Sequence, residues 1–114
     1  MQTYYLILRD SPEVLAKISP SDMQAVIQRY VKWREDNAKH VTGGQKLADG
    51  EGRVLRRKGT SLDVSDGPFM EAKEILGGFF VVEADSYDAA QRIASTCPHL
   101  EFGSIEIRQM EPTE

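Results

Sequence analysis

Few side chains in this sequence are suited to chemistry, and one of them stands on a rigid mount. In "DVSDGPFMEAKEILGGFF", residues 63–80, Asp66 immediately precedes Gly67, Pro68 and Phe69. Pro68 fixes its own φ and drives Gly67 toward extended backbone, so the turn is stiff. A stiff turn at a strand end can present a carboxylate for acid–base work. The same carboxylate can instead accept N–H groups of its own turn, although Pro68 removes one such donor. His99, in "CPHL", is the imidazole that could join it, since a carboxylate beside a ring nitrogen selects the tautomer. Sequence alone does not bring the two together, and a loop histidine is also a common surface residue.

The remaining candidates have simpler structural readings. The chain holds two His and one Cys, so a zinc site would have to rely on carboxylates, and neither metal nor cofactor is expected. The glycine pairs 43–44 and 77–78 lack phosphate-loop spacing and suit close backbone approach or a bulge. Cys97 has no partner for an internal disulfide and is expected as a buried thiol. His40 falls at a helix end, where it can meet the last carbonyls. Residues 53–58, "RVLRRK", cluster three Arg and one Lys in a chain of net charge −4. Val54 and Leu55 interrupt that run and no aromatic platform accompanies it. A charged hairpin edge is therefore expected rather than a nucleic-acid partner. The start "MQTYYLILRD" has no basic signal-peptide opening, and no apolar run reaches the ~18 residues of a membrane span. A cytoplasmic protein without a membrane partner is the expectation.

The elements that must position these residues follow from periodicity. "TYYLILR", residues 3–9, is apolar on both faces, as in a strand covered on two sides. Ser19, Pro20 and Asp22 form an N-cap, first-position proline and capping-box-like acid. Met23, Val26, Ile27, Tyr30, Val31 and Trp33 then trace the stripe of an amphipathic helix ending near residues 37–40. Short strand-like pieces occupy residues 45–65, with Leu62 and Val64 alternating as in a half-buried strand. "GGFFVVEA" from Gly77 reads as a second strand apolar on both faces. Asp85 can cap a second helix, which Pro98 must end. "SIEIRQM" alternates as a last strand. This order predicts one α+β domain over residues 1–114, a ferredoxin-like antiparallel sheet with two helices on one face. The uncovered apolar face predicts a homodimer in which two sheets pack into an α+β barrel.

The segment "DGPFMEAKEILGGFF" resembles the hallmark of the DGPF proteins of the YCII-related superfamily. "YYLILRD", "SP…MQAVIQRYVKW" and "CPHLEFGSIEIRQM" extend the resemblance over essentially the whole chain. Met70 and Ala72 depart from the small residue and Thr of that pattern. The resemblance implies a ferredoxin-like fold dimerised into an α+β barrel. It also implies small-molecule enzymology through a His–Asp pair, a dehydrochlorinase of chlorinated hydroquinones being among the relatives. In those relatives the His belongs to the first helix, where Gln28 stands in this chain, so the pair does not carry over residue by residue. Two readings follow. One is a small-molecule-binding protein or enzyme with an Asp66-centred acid/base site: Asp66 and His99 as catalytic groups, and Tyr5, Arg9 and Phe69 contacting the ligand in an interfacial cleft. The other is a noncatalytic dimeric interaction or regulatory module, because DGPF proteins often accompany extracytoplasmic-function sigma factors. Whether the chain is an enzyme stays open at this point.

Overall fold

Alternation in the first strand sets the architecture. The computed structural model describes residues 1–66 and 74–112. Strand β1 (Gln2–Asp10) buries Tyr4, Leu6, Leu8 and Asp10, every second residue, toward the helices. A single helical turn follows, α1 (Pro12–Leu15). Ser11 caps it by accepting the Val14 N–H, and Pro12 occupies its first position. Helix α2 (Pro20–Asp36) begins as its sequence predicts, with the Ser19 hydroxyl accepting the Asp22 N–H at 3.2 Å. Then come β2 (Val41–Lys46), β3 (Arg53–Lys58), β4 (Ser61–Asp66), β5 (Ile75–Ala84), α3 (Tyr87–Ala94) and β6 (Gly103–Gln109). The cap of α3 is Ser86 rather than Asp85: the Ser86 hydroxyl accepts the Ala89 N–H at 3.1 Å.

Four strands form one antiparallel sheet in the order β2-β5-β1-β6. With α2 between β1 and β2, and α3 between β5 and β6, this is the ferredoxin-like α+β arrangement. The core lies between sheet and helices, where Leu6, Val82, Phe80, Trp33, Ala90 and Ala94 pack together. Full burial of Leu6 or Val82 contributes roughly 1.5–3 kcal/mol each. Trp33 anchors α2 by packing its ring 4.9 Å from that of Phe80 and donating Nε1–H to the Thr96 hydroxyl at 2.9 Å.

Among the described residues, the other sheet face carries no helix. Tyr5 stacks on Phe79 there at 5.0 Å, and Ile7 lies opposite Phe79 in the ladder. Strands β3 and β4 leave the main sheet as a separate two-stranded ribbon. Leu62 and Val64, expected to be half-buried, are 53% and 51% exposed, because no layer among the described residues covers that ribbon face. The radius of gyration, 16.1 Å, exceeds the about 13 Å of a compact chain of this length, as a projecting ribbon requires. An isolated two-stranded hairpin is marginal in water, so this ribbon draws little stability from its own ladder.

Candidate functional site

Helix α2 is held near the sheet by Trp33, but its first half spans a cavity of about 490 Å³. Leu8, Met23, Val26, Phe80 and Phe102 give it apolar walls. Its polar lining is short: Asp10, His99, Tyr30, Gln45, Arg34, Lys46 and Asp49. Each is placed by a distinct element, and the centre of the group is a histidine held from both sides.

His99 lies in a 3-10 turn, Pro98–Glu101, that leads into β6, and is 2% exposed. Its Nε2 is 2.8 Å from the backbone carbonyl of Arg9 and its Nδ1 is 2.9 Å from the Tyr30 hydroxyl. The carbonyl can only accept, so Nε2 carries a proton. Burial, reinforced by the nearby Cys97 and Asp10, pushes the Tyr30 phenol well above its ordinary range. Tyr30 therefore keeps its proton at neutral pH and donates it to Nδ1. With both nitrogens engaged, His99 is a fixed dipole rather than a group free to touch a ligand.

Asp10 is the opposite case. It ends β1, and the period-2 alternation that buries Tyr4, Leu6 and Leu8 also buries this carboxylate, which is 8% exposed as a residue. Its Oδ1 lies 3.9 Å from His99 Nε2, too long for a hydrogen bond. Among the described residues no side chain or backbone group hydrogen-bonds the Asp10 carboxylate. Burial raises its pKa above the ordinary carboxylate value; His99 and Lys46 oppose that rise and Asp49 adds to it. Gly77 explains the fit, since any Cβ there would overlap all three atoms of the Asp10 carboxyl group. The glycine pair 77–78 thus has the close-approach role that its sequence suggests.

The cavity mouth is charged. Lys46 pairs with Asp49 at 2.7 Å, whereas the Arg34 guanidinium has no partner among the described residues. A smaller cavity of about 200 Å³, between the 47–52 loop and the base of the ribbon, also reaches Asp10 and Gly77. Asp10 therefore stands where two hollows meet. Cys97, beside the 3-10 turn, is buried, and its thiol is pushed up to about 11, so it is no thiolate nucleophile at neutral pH.

The residues expected from sequence are distributed differently. His99 lines the cavity. Asp66 ends β4 on the exposed ribbon opposite Arg53 and does not line it. The carboxylate beside His99 is Asp10, on the strand whose backbone the histidine grips. Tyr5 and Arg9 point to the helix-free face, where Arg9 pairs with Glu106 at 3.0 Å and, with Arg108, holds that carboxyl below its usual range. They are thus on the sheet face opposite the cavity. Phe69 lies outside the described residues. Sequence reasoning passed over Asp10 and Tyr30. The available signal for Asp10 was its place at the inward end of an alternating strand; Tyr30 was hidden in the apolar stripe of α2.

A ferredoxin-like α+β protein with a polar group buried under its first long helix is the class that fold and site define. The chain belongs to the YCII-related domain family, whose pattern matches residues 2–114. Among solved structures, it is similar to 5-chloro-2-hydroxyhydroquinone dehydrochlorinase from Burkholderia phenoliruptrix, determined in complex with 2,5-dihydroxybenzoquinone. That likeness has a TM-score of 0.48 and 16% identity, over 96% of this chain and 93% of the other. No curated protein matches the sequence.

Proposed function

We propose that this protein is a homodimeric small-molecule-binding protein whose acid–base group is Asp10. The observation that carries the reading is a largely buried carboxylate lining a cavity, with raised proton affinity and no hydrogen-bond partner among the described residues. Its oxygens still open onto the cavity, where a ligand donor can reach them. Burial raises the proton affinity of this carboxyl, which makes it a better proton acceptor than an ordinary aspartate. His99, oriented by Tyr30, sets the local field and leaves Asp10 as the group that meets the ligand. The volume matches small-ligand sites, which run from roughly 300 to 1,000 Å³. Asp66 has no part in this cavity in the protomer, and the acid–base assignment moves from Asp66 to Asp10.

The homodimer is supported by the bare face around Tyr5, Ile7, Phe79 and Val81, whose natural cover is the same face of a second copy. A second reading, a module that docks another protein, has one observation in its favour: the exposed apolar stripe of Leu55, Leu62 and Val64 among the ribbon arginines.

The test is a thermal-shift screen of metabolites, phenolic acids and halogenated aromatics against wild type and Val26→Trp, which fills the cavity from α2. Compounds that stabilise the wild type but not a folded Val26→Trp variant support the site. A screen in which no compound stabilises the wild type, or in which both proteins respond alike, removes it.

A further inference from the structure

Resting on the cavity reading above, we propose that the ligand is two-ended: an apolar, ring-sized carboxylate that carries a hydroxyl at its far end. The inner end follows from Asp10. Its carboxylate accepts no hydrogen bond among the described residues, and the glycines around it bring backbone close without adding side chains. A ligand reaching that depth must supply a donor, and a hydroxyl does so without a formal charge.

The outer end follows from the cations at the mouth. Lys46 and Asp49 neutralise each other at 2.7 Å. Arg34 also lines the cavity, one helical turn beyond Tyr30, and its planar fork has no carboxylate to bind among the described residues. That fork suits a carboxylate, which it can take in bidentate fashion. A cationic ligand would instead meet the Arg34 guanidinium in the same cavity, and like charges oppose that. Between the two ends the walls are Leu8, Met23, Val26, Phe80 and Phe102, with no charge to solvate. A ring or short branched chain is what those walls accept.

Four probes of one ring size separate the ends: para-hydroxyphenylacetate, phenylacetate, para-cresol and tyramine, titrated calorimetrically into the full chain at neutral pH. Para-hydroxyphenylacetate is expected to bind tightest. Removing its hydroxyl or its carboxylate is expected to cost about tenfold or more, the usual weight of one charge-assisted hydrogen bond. Tyramine is expected to be the weakest. Arg34 is exposed, so Arg34→Gln should fold normally by circular dichroism. It should weaken the two acids about tenfold and leave para-cresol unchanged, and Arg34→Lys should restore part of the loss. Asp10→Asn should weaken para-hydroxyphenylacetate and spare phenylacetate.

Para-cresol binding as tightly as the hydroxy acid, with Arg34→Gln silent, overturns the anionic end. Tyramine binding tightest overturns it too, because Asp10 would then be the seat of a cation. Binding of none of the four overturns the ligand class. In any of these cases the cavity reading survives if other compounds bind wild type and not Val26→Trp, so the two failures are distinguishable.

Discussion

Deleting one hydroxyl group, in Tyr30→Phe, tests whether His99 is held as described. The ring of Tyr30 stays, with its contacts to Phe102 and to the cavity wall, and only the donor to His99 Nδ1 is lost. A net hydrogen bond contributes about 0.5–1.5 kcal/mol, and stranding a buried acceptor raises the cost to ~1–3 kcal/mol. His99 is 2% exposed, so water cannot replace the hydroxyl without moving the turn, and the ~1–3 kcal/mol cost of a stranded acceptor applies. Unfolding entropy of roughly 2.1 cal/mol/K per residue makes each kcal/mol worth roughly 4 °C of Tm in a chain of 114 residues. Tyr30→Phe should therefore lower Tm by roughly 4–12 °C in a calorimetric scan. Nitrogen-15 spectra of the imidazole give the second readout. The wild type should show a protonated Nε2 and a bare Nδ1, and the variant should shift Nδ1 while leaving Nε2 bonded to the Arg9 carbonyl. A Tm within about 1 °C of wild type, well below the cost of a stranded buried acceptor, would refute the reasoning. So would a wild-type ring protonated at Nδ1 alone.

Three further outcomes follow from the same geometry. Asp10 binds its proton more tightly folded than unfolded. Its favourable contribution to stability is therefore complete below the unfolded value of about 3.9 and is lost as pH rises through the raised folded pKa. Asp10→Asn cannot ionise, so its Tm relative to wild type should climb from acid to neutral pH in paired melts; a difference that falls over that interval contradicts the burial argument. Gly77→Ala places a Cβ on the Asp10 carboxyl and should cost about 1–3 kcal/mol by overpacking, with much of that cost recovered in the double variant with Asp10→Ala. Additive costs in chemical denaturation would show that the two residues do not meet. Phe79→Asp puts a charge at the centre of the helix-free face and should convert a dimer to a monomer in sedimentation runs, with the protomer still folded. An unchanged dimer would place the interface elsewhere.

How much of this was legible in the sequence depends on range. Ser19, Pro20 and the 3.6-residue stripe from Met23 to Trp33 are local signals, and α2 starts where they say. β1 and β5 were legible as runs apolar on both faces, which also predicted the helix-free sheet face, and β6 by its alternation; β2 starts at Val41, earlier than the strand-like pieces expected from residue 45. Ser86 and Asp85 are equally good caps in sequence, and only the backbone entering α3 selects the serine. The site was harder to read because it joins residues far apart in the chain. His99 was a candidate on residue type alone, but its partners come from the end of β1 and the middle of α2. Asp66 drew attention because Pro68 follows it in sequence, yet in the fold it stands at the base of the ribbon, opposite Arg53, and lines no part of the cavity. Asp10 shows the limit of pattern reading: one acid at the end of an apolar strand looks like a boundary until the fold closes over it.

The claim that carries the rest is that Asp10, and not Asp66, is the carboxylate poised in the cavity. Carbon-13 carboxyl NMR of aspartate-labelled protein, titrated in wild type, Asp10→Asn and Asp66→Asn, tests it without any ligand. One aspartate should titrate above the ordinary carboxylate range, vanish in Asp10→Asn and persist in Asp66→Asn. A high-titrating signal that survives Asp10→Asn and disappears with Asp66→Asn would contradict the account.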